Sequence, residues 1–202
     1  MSGKDHFGGT EESRSDEELP GSEGEHEIQE ELNTKERALQ FYDGAMQESL
    51  NDRMISFIDE RIMFFLSTAD GAGETDCSPR FGPQGFVNVL DENRLAYPEY
   101  RGNGVQASLG NMQENSQATF LFVDWWETTV GLHVNGEVTL REQLPEAVDP
   151  TDVDKTKLWV ELEVEEAYIH CAKHVPKLAI EEFDPPWGID DLEVKKANYF
   201  VD

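Results

Sequence analysis

Between Arg61 and Arg141 the chain carries three basic residues, Arg80, Arg94 and Arg101. Two of them sit in glycine- or proline-containing segments, "SPRFGPQG" and "YRGNG". The second continues as "YRGNGVQASLGN", which reads as a strand end, a glycine turn and the start of a helix. Glycines let the backbone approach a ligand closely and adopt positive φ. The first N–H groups of the following helix have no intrahelical partner, and the helix dipole adds about half a positive charge there. Ser108 can donate a hydroxyl from the first helical turn, and Arg101 can donate a bidentate pair. Together these are the parts of a phosphate site. The competing reading pairs Arg80 and Arg101 with surface carboxylates. Gly102, Gly104 and Ala107 also fit G-x-G-x-x-A, the dinucleotide fingerprint. That motif belongs to the first βα turn of a βαβ unit, whereas here it follows about three strands, so no Rossmann fold is expected.

The surroundings of this turn are acidic. The chain has 43 Asp and Glu against 16 Lys and Arg, a formal net charge of −27. Nucleic acid and anionic membrane surfaces need a positive footprint, so neither is an expected partner. Screening cuts exposed charges off beyond roughly 8–10 Å, so a local cation can still hold an anion. No apolar run approaches the ~20 residues of a membrane span. Without a basic start and apolar core at the N-terminus, the expected location is cytoplasmic. Cys77 and Cys171 make no disulfide framework and are expected as reduced core or near-site thiols.

Residues 1–34 hold 11 acids, two bases and few large apolar residues. That composition predicts a disordered acidic tail, with residues 35–202 forming the folded domain. Thr34 is a candidate cap for a helix over 35–49, with Leu39, Tyr42 and Met46 at helical spacing. Asn51 starts a second short helix. From Met63 the period changes to that of strands. "MFFLSTAD", the bent stretch "CSPRFGPQGFVNVL", "RLAYPEY", "QATFLFVDWW", "VGLHVNGEVTLRE" and "KLWVELEVEEAYIHCAK" read as six or so strands with one helix inserted near Asn115. A loop is expected over 144–156, and the Pro185–Pro186 pair precedes an extended C-terminus. Short turns between consecutive strands favour an antiparallel barrel over a parallel sheet.

The order of these motifs from "MFFLSTAD" through "CSPRFGPQGFVNVLDENRLAYPEYRGNGVQASLGN" and "LFVDWW" to "EEAYIHCAKHVPKL" resembles the flavin-nucleotide-binding proteins related to pyridoxamine 5′-phosphate oxidase. The resemblance spans about residues 36–180. It implies a mainly β fold with peripheral helices, an antiparallel six-stranded split β-barrel of the FMN-binding type. It also implies a homodimer with the flavin at its interface, and FMN as cofactor, with deazaflavin or haem in other branches. By the same resemblance Ser78, Pro79 and Arg80 form the arginine-bearing strand, and Tyr97 and Pro98 end the next. Arg101, Gly102, Asn103 and Ser108 surround the phosphate. Gln84, Gly85 and Phe86 approach the ring system, and Trp125 and Trp126 wall the pocket or the dimer contact. The oxidase's basic pair in the phosphate segment is missing, with Ala107 and Ser108 near its place. Its C-terminal arginine motif is also absent. The expected function is therefore an FMN-binding oxidoreductase-like protein acting on a small molecule. A flavin carrier or sensor without turnover, or a haem-binding split barrel, is the alternative.

"YIHCAKH" places His170, Cys171 and His174 within five residues. Whether helical or extended, His170 and His174 share a side. A closed zinc site wants four ligands, and the other histidine of the folded region is His133, so no metal ligands are expected. His170 is read as hydrogen-bonded at a strand end, or as touching flavin or substrate.

Overall fold

The computed structural model describes residues 19–100, 102–143 and 156–181. The chain divides into two compact units, Met1–Ala45 and Met46–Asp202. In the first, α1 (Glu23–Glu31) and α2 (Lys35–Gly44) follow each other. α1 lies inside the stretch whose composition predicts disorder. Its start is set by a reciprocal cap: Glu25 N–H donates to Ser22 Oγ, and Ser22 N–H donates to the Glu25 carboxylate. Glu23 and Glu25 also sit where the helix dipole favours negative charge. Averaged composition hides such a local signal. Gln29 Nε2 donates to the Tyr42 hydroxyl at 2.7 Å, linking α1 to α2. α2 thus groups with α1 in the first unit.

The second unit begins with α3 (Asp52–Asp59), whose cap is the predicted Asn51: its Oδ1 accepts from the N–H of Arg53 and Met54. Seven antiparallel strands follow. They are β1 (Met63–Ala69), β2 (Thr75–Phe81), β3 (Asn88–Asp91), β4 (Arg94–Tyr100), β5 (Gln117–Val123), β6 (Gly131–Arg141) and β7 (Thr156–His170), with α4 (Ala107–Glu114) between β4 and β5. The count is seven rather than six because the bent stretch breaks at Gly82–Gly85, where Gly85 takes φ 77°. Residues 144–155 of the loop expected over 144–156 lie outside the described residues, as does the segment around Pro185, and Thr156 already opens β7. No helix of the described residues is long and apolar enough to cross a membrane.

Sheet order explains the shape. The strands run β2-β1-β5-β6-β7-β4-β3, so the consecutive strands β2 and β3 occupy opposite edges. Laid flat, the six gaps of this sheet would separate those edges by about 29 Å. The link from Phe81 to Asn88 reaches at most about 25 Å when fully extended. The sheet therefore has to curl until its edges approach, an open, split barrel. Alternation fills the inside. Phe64 and Leu66 of β1, Phe120 and Phe122 of β5, Tyr97 of β4 and Val134 of β6 are fully buried. Phe64 stacks on Phe120 at 4.7 Å and meets Tyr97 edge-on at 5.1 Å.

The pairing of β6 with β7 carries one irregularity. Its register shifts at Asn135/Gly136, where Asn135 faces Glu166 but Gly136 faces Val164, leaving Glu165 as the extra residue of a bulge. The shift reverses the phase of β7. Leu162 and Val164 point inward, then Ala167 does, which puts Glu166, Tyr168 and His170 on the outer face.

Candidate functional site

The split between the sheet edges holds a polar cavity of about 260 Å³. β2 contributes Asp76, Ser78 and Arg80, which alternate onto one face, while Cys77 and Pro79 face out. β4 contributes Glu99, the turn before α4 brings Asn103 and Gln106, and the first turn of α4 brings the buried Ser108. α4 is fastened to the sheet edge: Asn111 Nδ2 donates to Thr68 Oγ1 of β1 at 3.1 Å, and Gly71 N–H donates to Glu114 at 3.1 Å. Gly104 at φ 87° and Gln106 at φ 61° turn the chain sharply into the helix, and Gln106 gives its N-terminus no side-chain cap. The first turn of α4 therefore faces the cavity with its backbone donors unclaimed by a capping side chain.

Two carboxylates organise this cavity. Asp76 Oδ2 accepts from both Ser78 Oγ and Ser108 Oγ, each at 2.9 Å. Glu99 Oε2 accepts from Arg80 Nε at 2.9 Å and from the Tyr97 hydroxyl at 3.0 Å. β2 and β4 are not neighbours in the sheet, so the Arg80–Glu99 pair ties the two sides of the split. Burial alone would lower the Arg80 pKa, but Tyr97 and Glu99 outweigh it and raise it above its usual value. Burial, reinforced by Glu99, pushes the Tyr97 phenol well up, so it stays a neutral donor. Sequence reasoning missed Asp76 and Glu99. Their signal is the pleat: Asp76 is two and four residues before Ser78 and Arg80, and Glu99 two after Tyr97.

Of the residues expected at a flavin, Ser78, Arg80, Asn103 and Ser108 meet in the cavity. Arg101 lies outside the described residues, and Gly102 is exposed beside it in sequence. Tyr97 reaches the site by its hydroxyl while its ring packs in the core. Pro98 is buried on β4, opposite Trp159. Gln84 and Gly85 are exposed in the turn after β2. Phe86 is a core residue stacked near Phe64, with ring centroids 5.9 Å apart. Trp125 and Trp126 follow β5, and the guanidinium of Arg61 lies 5.6 Å over the Trp126 ring. Cys77 and Cys171 are both exposed, not core thiols, because each falls on an outward position at an edge or strand end. His170 lies against His133 of β6, its Nδ1 3.2 Å from His133 Nε2.

Fold and site together define a split antiparallel barrel with a polar pocket at the split. The family model described as pyridoxamine 5′-phosphate oxidase matches residues 50–171, and the chain belongs to that family. No curated protein matches the chain. Among solved structures it is similar to HupZ of Group A Streptococcus, at 17% identity and TM-score 0.49, covering 64% of this chain and 99% of that one. It is similar to an FMN-binding protein of Syntrophomonas wolfei, at 16% identity and TM-score 0.43, over 74% and 98% of the two chains. HutZ, the heme storage protein of Vibrio cholerae, is similar at 13% identity and TM-score 0.43, over 60% and 93%.

Proposed function

We propose that this protein binds FMN and works as a homodimeric oxidoreductase on a small molecule. The observation that carries the reading is the meeting of Ser78, Arg80, Asn103 and Ser108 with the uncapped start of α4 in one cavity at the split. Two hydroxyls, an amide, a guanidinium and helix N–H groups form a donor set that suits a phosphate. Arg101, next to this turn in sequence, would add a second cation. The cavity, about 260 Å³, is near the lower end of the ~300–1,000 Å³ typical of small-molecule sites, so it would take the phosphate end of a flavin and leave the ring outside it. Bound FMN would supply the electron-carrying ring, and this chain's residues would anchor and orient it. The two carboxylates oppose the phosphate directly: Glu99 holds Arg80, and Asp76 holds both serines. An entering phosphate has to take those donors over.

Purified protein that is yellow, or turns yellow with FMN and absorbs near ~450 nm, supports the reading. A Soret band would replace it with haem, and a colourless protein that ignores FMN would end it. Bleaching by a nicotinamide donor followed by reoxidation by a substrate separates an enzyme from a carrier. Arg80→Ala and Arg101→Ala are each expected to weaken FMN binding by about 1.5–3 kcal/mol, roughly ten- to a hundredfold. Glu99→Gln, which frees Arg80 from its carboxylate, should tighten it. Fluorescence titration of FMN measures all three, and equal affinities throughout would remove these residues from the site.

A further inference from the structure

The outer face of β6 and β7 carries a cluster that the pocket does not use. The bulge after Val164 turns Tyr168 and His170 outward beside His133. Tyr168 stands directly across from His133, and the two rings stack at 4.8 Å with an interplanar angle of 16°. His170 is the next outward residue along β7, the diagonal neighbour of His133. Its cross-strand partner is Gly131, where a Cβ would come within 2.8 Å of the His170 Cβ. Only a residue without a side chain leaves His170 room there to lean onto His133. The result is a contact of two imidazole nitrogens, His133 Nε2 and His170 Nδ1, at 3.2 Å.

We propose that His133 and His170 form an open chelating site for a late first-row divalent cation, copper, nickel or zinc. Imidazole nitrogen suits these ions. With nitrogens 3.2 Å apart and metal–nitrogen bonds of about 2.0–2.1 Å, an ion held by both would subtend about 100–105°. That is near the tetrahedral angle and reachable by turning the exposed His170 ring about its side-chain torsions. The ion takes the place of the hydrogen bond between the rings. Both rings bind neutral: the one that donated moves its proton to its other nitrogen, so no proton is lost overall. The stack on Tyr168 limits the freedom that binding must remove. Among the described residues no third His, Cys, Asp or Glu joins the pair. The ion's remaining positions therefore belong to water or a small ligand, as in sites that exchange ligands rather than staple a fold. His174, which the sequence pairs with His170, is not part of it.

The test is a titration of the full chain with Cu(II) in excess Mg²⁺, which occupies the many surface carboxylates. The expected result is one tight equivalent per chain, with an EPR spectrum split by two nitrogens, and zinc competing for it only in large excess. His133→Gln and His170→Gln should each weaken that equivalent at least tenfold, and His174→Gln should leave it unchanged. Circular dichroism shows whether each variant keeps its fold. Undiminished binding in either of the first two variants, an equal loss in His174→Gln, or a single-nitrogen spectrum would overturn the proposal.

Discussion

Replacing Asp124 with Ala is expected to destabilise the protein by about 3–5 kcal/mol, the range for removing one partner of a buried ion pair. Asp124 is 1% exposed and Arg61 4% exposed. Asp124 lies at the end of β5 and accepts from the N–H groups of Trp126, Glu127 and Thr128 and from the Thr128 hydroxyl. It thereby closes the turn that carries both tryptophans. Arg61 Nη1 lies 3.1 Å from Asp124 Oδ1 as a charge contact without hydrogen-bond alignment. Arg61 is held from the other side by the Phe57 carbonyl and the Phe57 ring. Removing the carboxylate leaves the N–H groups of Trp126, Glu127 and Thr128 without their acceptor, and the buried guanidinium loses one of its two carboxylates, keeping Glu60 at 2.9 Å. Urea denaturation at neutral pH measures the loss, and a change below about 1 kcal/mol would mean that water replaces the carboxylate.

The same residue sets an acid limb. Burial pushes the Asp124 carboxyl up, but the Thr128 hydroxyl and the backbone N–H groups of Thr128, Glu127 and Trp126 outweigh it and hold the pKa far below the ordinary carboxylate range. A depressed folded pKa means stability that is complete above the unfolded value, near ~4, and lost as pH falls below it. Asp124→Asn should therefore flatten the stability curve between about pH 4 and pH 2 relative to the wild type. An unchanged curve would assign acid sensitivity to other carboxylates.

Gly136→Ala is the second large effect, an expected loss of more than about 3 kcal/mol, beyond the ~1–3 kcal/mol usual for overpacking. A Cβ at Gly136 would fall onto the carbonyl oxygen of Glu163 and within 3.1 Å of Glu165 N. Those atoms are backbone of the adjoining strand, so no side chain can turn aside. Either β6 and β7 part, or the bulge at Glu165 is rebuilt. If the bulge is lost, the phase of β7 reverses beyond Val164 and His170 leaves His133. Loss of metal binding with the fold retained would report that outcome. Gly110→Ala is the control. Gly110 is exposed in α4 with no atom within 4 Å of an added Cβ, so it should gain about 0.5–1 kcal/mol from helix propensity. Equal effects at the two glycines would refute the close-approach account.

Local chemistry made much of this protein legible from its residues. Alternating Phe64 and Leu66, Phe120 and Phe122, and Leu132 and Val134 reads as strands because a pleat repeats every two residues. Asn51 reads as a cap because its side chain reaches two N–H groups within its own turn. The glycine turn into α4 reads as an anion-site shape for the same reason. Where a signal was averaged over many residues, as in the acidic stretch containing Ser22 and Glu25, the local rule was lost.

Contacts between distant segments depend on closure of the barrel. Arg80 and Glu99 are 19 residues apart and meet because the edges of a curled sheet converge. That meeting gives Arg80, read from the sequence as a phosphate cation, a carboxylate partner. Asp76 finds Ser108 across 32 residues in the same way. One extra residue opposite Gly136 decides that His170 faces His133 rather than the core, and no alternation within β7 alone could reveal it. The chain by itself determined which segments extend, turn and coil. The tertiary structure decided which charges and rings those segments bring together, because bulge phase and edge convergence are properties of paired strands.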